Sequence, residues 1–159
     1  MNSLKKFITT ALLSSLAFVG GCTAKHIDPA DRDTTGSYDG VWVVSVDAPK
    51  ADRVPMPGNV VMHCSWEPYE FNLKVDEGRL LLEGYTRESV VSTEGNFRFD
   101  WDAGSVRMQS GVISGSANEI VGIYAGNLAG QEPGGKFTQY VASLGGNTCS
   151  ADMSIRRKS

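Results

Sequence analysis

From Tyr38 onward, apolar and polar residues alternate with a period of two, and no stretch sustains a helical period with caps. Trp42, Val44 and Val46 share one face of a first strand, within Tyr38 to Val46. Pro49 to Gly58 holds three prolines and a glycine, which predicts a long irregular loop. Val60, Met62, Cys64 and Trp66 then form an apolar face with His63 pointing the other way. Pro68 ends that strand, and Phe71, Leu73 and Val75 alternate with Asn72 and Lys74. Asp76-Glu77-Gly78 supplies a left-handed turn position that glycine tolerates, and Arg79 to Tyr85 returns as the partner strand. Val90-Val91 is a short candidate strand. Phe97, Phe99 and Trp101 alternate with Asn96, Arg98 and Asp100, and Asp102-Ala103-Gly104 reads as a turn into Val106 to Gln109. Val112 to Ser116, Ile120 to Ala125 and Phe137 to Leu144 follow, the last two separated by a glycine-rich loop, Gly126 to Gly135. After the turn Gly145-Gly146-Asn147, a final strand puts Cys149, Ala151, Met153 and Ile155 on one face.

Eight or nine short strands separated by glycine, asparagine and aspartate turns imply an all-β meander. The expected architecture is a small antiparallel up-and-down β-barrel of about eight strands over residues 38 to 157, with a β-sandwich as the alternative. Pairing the first strand with the last removes the exposed edges of the meander. A barrel of this size has room inside for side chains or one small ligand.

The chain before Tyr38 follows other rules. Lys5 and Lys6 precede an apolar run from Phe7 to Phe18, the layout of an export signal and too short for a permanent membrane span, which needs about 20 apolar residues. Val19-Gly20-Gly21-Cys22 closes that run and resembles the lipobox of bacterial lipoproteins. The resemblance implies that residues 1 to 21 are removed as a signal peptide and that Cys22 carries the lipid. It also implies passage to the outer membrane, because Thr23 rather than an aspartate follows the cysteine. Residues 22 to 37 are polar, with Asp28, Asp31, Arg32 and Asp33, and read as a lipidated flexible tether that buries too little to offset its ordering entropy.

Export changes the reading of the two remaining cysteines. In an oxidising compartment, Cys64 and Cys149 are expected to form a disulfide, and both lie on inward faces of their strands. A metal site built from the same pair and His63 is the competing role, although it lacks the three or four protein ligands that zinc takes. Within residues 38 to 157, the Tyr-Asp-Gly-x-Trp start, the cysteine after the first loop, the Asp-Glu-Gly and Asp-Ala-Gly hairpins and the cysteine in the final strand look like a small secreted barrel module. That module is appended to some bacterial membrane cyclases and solute-binding proteins. It brings no activity and no functional residues with it.

Removal of the first 21 of 159 residues takes away two lysines and shifts the net charge from −3 to −5. That balance argues against nucleic acid as a partner, since phosphate binding needs a basic face. The one basic cluster, Arg156-Arg157-Lys158, reads as a solvated tail. Gly130 to Lys136 has the glycine and lysine spacing of a phosphate loop, but Phe137 stands where serine or threonine would hold magnesium. Asp100 with Asp102, and Glu67 with Glu70, are carboxylate pairs expected to be solvated, and a serine nucleophile lacks a positioned histidine base. No catalytic residues, cofactor or metal are therefore expected. Trp42, Trp66, Trp101, Phe71, Phe97, Phe99 and Tyr124 supply aromatic surface for a core or for a pocket. The sequence thus points to a non-enzymatic envelope lipoprotein that binds a protein or envelope component through the loops Pro49 to Asn59 and Gly126 to Gly135. The alternative is a lipocalin-like carrier of a small apolar ligand, with Trp42, Trp66 and Trp101 lining its cavity.

Overall fold

A computed structural model describes residues 26–82, 87–106, 118–141 and 148–159. The segment expected to be a signal peptide, the lipobox-like stretch with Cys22, the strand expected at Val112 to Ser116 and the turn expected at Gly145 to Asn147 lie outside the described residues.

The protein is all-β. Seven antiparallel strands form one curled sheet, a half-barrel, in the order β5, β4, β1, β9, β8, β7, β6. These are β1 (Gly40–Val46), β4 (Tyr69–Asp76), β5 (Arg79–Leu81), β6 (Asn96–Val106), β7 (Asn118–Asn127), β8 (Gly134–Val141) and β9 (Cys149–Arg157). The first strand pairs with the last, Val44 opposite Ile155, while its other edge pairs with β4. At one end the segment 89–92 joins the two edge strands. There Leu80 N–H donates to the Ser89 carbonyl at 2.8 Å and Val91 N–H to the Gly78 carbonyl at 2.9 Å. On the other side of the segment, Val91 bridges to Phe97.

The period of two decides which side chains enter the interior. Trp42, Val44, Val46, Leu73, Val75, Phe97, Phe99, Ala151, Met153 and Ile155 are all buried in one core cluster. The turn between β4 and β5 has Glu77 and Gly78 both at positive φ, 49° and 69°, the backbone of a two-residue hairpin that matches strand twist. A Cβ on Gly78 would also run into the Asp33 carbonyl, so the glycine serves the turn and the close approach of the N-terminal segment together.

Four expectations change. Pro49 to Gly58 is not wholly irregular: Arg53–Met56 is a strand, β2, paired with β3 (Val60–His63) in a separate two-stranded sheet. Pro55 is accommodated because each strand of such a hairpin has an edge with no ladder to complete. Asp102-Ala103-Gly104 does not reverse the chain; β6 runs through it with a register shift between Asp102 and Ser105, a bulge that absorbs one extra residue. The glycine-rich loop is shorter than Gly126 to Gly135, because Gly126 and Gly135 are paired with each other in β7 and β8.

The N-terminal segment is also held rather than loose from Pro29 onward. A single 3-10 turn at Pro29–Asp31 is capped by Asp28, and Asp33 N–H donates to the Val91 carbonyl at 2.8 Å. The Asp33 side chain is buried, its Oδ1 accepting from the Thr35 amide and hydroxyl. These backbone and carboxylate bonds supply the stabilisation that the segment's poor apolar content does not.

Candidate functional site

The inner faces of β4, β6 and β7 bring an aromatic group together that does not close completely. Tyr69 and Phe71 come from β4, Phe99 and Trp101 from β6, and Tyr124 from β7. Tyr124 stacks on Phe99 with centroids 4.7 Å apart and planes 13° from parallel. Phe71 meets both edge-on, at 5.3 Å from Tyr124 and 6.2 Å from Phe99. Such offset and edge arrangements are the favoured ones for rings that carry a quadrupole. Beside them lies a cavity of about 340 Å³ lined by Tyr69, Phe71, Asn72, Leu82, Phe99, Trp101 and Tyr124. It is within the range, roughly 300 to 1,000 Å³, of sites that take small molecules. Trp101, 39% exposed, stands at its rim.

The polar feature of this wall is a pair of phenols from β4 and β7. Tyr69 Oη and Tyr124 Oη are 2.7 Å apart. Burial pushes both phenols above their ordinary range. The shared hydrogen bond raises Tyr69 further, while it lowers Tyr124 and so offsets part of that group's rise. Both therefore remain neutral hydroxyls across physiological pH. None of the described lining residues carries a charge.

The three indoles do not gather around one cavity. Trp42 is buried in the core, its indole N–H donating to the Tyr38 carbonyl at 2.8 Å, with the Arg157 guanidinium 5.4 Å from its ring centroid. Trp66 donates to the Asp47 carbonyl at 2.9 Å and lies edge-on to Phe137 at 5.1 Å. Only Trp101 of the three borders the cavity. Phe71, Phe99 and Tyr124 from the wider aromatic set line it as well. Tyr69 and Leu82 were missed: both follow the alternation of their strands, yet nothing local says that their neighbours leave a void.

Cys64 and Cys149 form a disulfide with Cα atoms 5.5 Å apart. Both are buried with Met56 and Met62 in a second, smaller core against which Val54 and Trp66 pack. The bond therefore ties the β2–β3 hairpin to the last strand. His63 is exposed beside this pair, and among the described residues no three His, Cys, Asp or Glu side chains cluster as a metal site would require.

Several other candidates are occupied by structural contacts. Asp100 is in a two-point ion pair with Arg98, Nε to Oδ1 at 3.0 Å. Glu70 accepts from Ser45 at 2.5 Å and pairs with Arg156 at 3.6 Å. Glu67 is exposed. Lys136 lies in β8 with no helix after its loop, the wrong context for a phosphate cradle. Arg156 and Arg157 belong to β9, and Arg157 also donates to the Asp39 carbonyl, so this basic cluster is part of the sheet and not a free tail. A second, wider groove of about 1070 Å³ lies between residues 26–31 and the ends of β6, β7 and β8. Within it, the Asn127 side chain already bonds Glu94 O, Asn96 Oδ1 and Ala129 N.

No protein-family model, no curated protein and no solved structure matches this chain.

Proposed function

We propose that the protein is a lipid-anchored component of the bacterial envelope that binds a small, largely apolar molecule in the aromatic cavity, without catalysing a reaction. The observation that carries this reading is the cavity of about 340 Å³, walled by rings from three strands and by Leu82. A ligand that fills the void buries apolar area and adds ring contacts with these walls. The order of basic start, apolar run and Val19-Gly20-Gly21-Cys22 supports attachment through Cys22 and export to the outer membrane.

On this reading the acyl chains sit close to the barrel. From Cys22 to Asp28 the chain spans at most about 20 Å fully extended. His26 and Ile27 border the groove beside Asn96 and Asn127, several residues along β6 and β7 from Trp101 and Tyr124.

A second reading, recognition of an envelope protein, draws on the β2–β3 hairpin, where exposed Val61 stands opposite exposed Pro55. One experiment weighs the two. Native mass spectrometry of the membrane-extracted protein should release a small molecule at one per chain, and palmitate labelling should mark the wild type but not Cys22→Ala. A bound heterologous protein with an empty cavity would favour the hairpin, and absence of label would remove the anchor.

A further inference from the structure

We propose that the cavity selects uncharged ring compounds that bear a hydrogen-bond acceptor, such as a carbonyl, and that the Tyr69–Tyr124 pair is the element that reads this group. The inference rests on the small-molecule reading above and names the ligand class.

The hydroxyl pair leads to it. A tyrosine hydroxyl has one proton to donate and two lone pairs that accept. When two hydroxyls bond at 2.7 Å, one proton is consumed between them, and the accepting hydroxyl keeps its own. Whichever of the two donates, the pair as a unit still has one proton to give. Among the described residues no third group takes it. A half-buried donor without an acceptor is costly, and a ligand carbonyl placed against the pair removes that cost.

Charge narrows the class further. The described lining residues are three apolar side chains, two tyrosines, one tryptophan and Asn72. A carboxylate or ammonium bound there would lose its hydration without gaining an ion partner, a strongly unfavourable exchange. Because burial holds both phenols neutral, the pair offers no charge of its own to a cation. Fatty acids and other anions are thereby disfavoured. The ring character of the ligand follows from the wall, where Phe71 is already edge-on to Tyr124 and Phe99. An inserted ring can continue that edge-to-face arrangement, whereas an alkyl chain of equal area gains burial alone. The volume suits one or two fused rings.

The test uses the full lipidated chain in lipid nanodiscs, with empty nanodiscs as the partition reference. Three probes of similar size are titrated against tryptophan fluorescence: 2-acetylnaphthalene, naphthalene and 2-naphthoate. The expected result is binding of 2-acetylnaphthalene about tenfold tighter than naphthalene, with 2-naphthoate at least tenfold weaker than either. Either tyrosine alone can still donate, so the informative variant is the double one. Tyr69→Phe with Tyr124→Phe should leave naphthalene affinity within about twofold and abolish the preference for the ketone. An unchanged preference in the double variant overturns the inference, as does naphthoate binding equal to naphthalene. If naphthalene binds the wild type without any preference, the ligand class fails while the small-molecule reading stands. If no probe binds, both fail. Should the double variant lose naphthalene, the cavity has not survived the substitution, and the ranking of the three probes on the wild type decides.

Discussion

Reducing the Cys64–Cys149 bond should remove a large share of the stability of this domain while leaving its side chains in place. The two cysteines are 85 residues apart in sequence. In the chain-entropy treatment, a closed loop of that length restricts the unfolded chain enough to stabilise the folded state by about 4.5 kcal/mol. Domains of this size have a total stability of roughly 5 to 15 kcal/mol, so the loss is about 30% or more of the whole. Reduction is a cleaner perturbation than Cys64→Ala with Cys149→Ala. The double substitution also empties space in the Met56, Met62 and Trp66 cluster, and that adds a cavity cost. Urea unfolding followed by tryptophan fluorescence, with and without a phosphine reductant, measures the difference. With a slope of about 2 kcal/mol per molar urea, the midpoint should fall by about 2 M, and the slope should rise because the unfolded chain without its crosslink exposes more surface. Hydrogen exchange on the reduced protein should show the β2–β3 hairpin opening before the main sheet. Its ladder is separate from the main sheet, and the small core is what joins them. A midpoint shift below about 0.5 M would refute the loop-entropy reasoning, and simultaneous exchange of hairpin and sheet would refute the view of the hairpin as a stapled appendage.

Two further outcomes follow from the same geometry. Gly135→Ala should destabilise the protein by about 2 kcal/mol or more, because its Cβ would meet the Ala125 carbonyl and lie 2.6 Å from Gly126 Cα, both of them backbone atoms in the adjoining strand; thermal melting would check this, and a change under about 0.5 kcal/mol would show that β7 and β8 can spread apart. Absorbance titration at alkaline pH should find that Tyr69 and Tyr124 resist ionisation until the protein unfolds. The folded-state pKa values of Tyr69 and Tyr124 are raised, so the stability they contribute is fully present below the unfolded value of about 10 and is lost as pH rises through the folded values. Ionisation of Tyr69 and Tyr124 in the folded protein near the unfolded value would contradict it.

Alternation along the chain was sufficient to establish strands and their inner faces. Trp42, Val44 and Val46, Leu73 and Val75, and Cys149 to Ile155 were legible because a residue's face in a strand depends on its parity and on little else. The same parity put Cys64 and Cys149 inside, and a compartment argument joined them. The Glu77-Gly78 turn was legible because positive φ is a local demand on residue type. Other features depended on residues far apart in sequence. Asp102-Ala103-Gly104 has the composition of a turn, yet β7 pairs along it and holds it as a bulged strand. Pro55 reads as a breaker, yet the hairpin gives it an edge where no N–H is needed. The polar run before Tyr38 lacks apolar residues, and its attachment through Asp33 to Val91 requires a partner 58 positions away. The cavity belongs to this second group. Parity turns Tyr69, Phe71, Phe99 and Tyr124 inward, but it is the curl of the sheet that stacks some rings, leaves a gap beside others and brings two hydroxyls 55 residues apart within hydrogen-bond distance. Sequence alone determined which side chains face the interior, and tertiary structure decided which of them meet, because packing fills or leaves space according to the separation of whole strands.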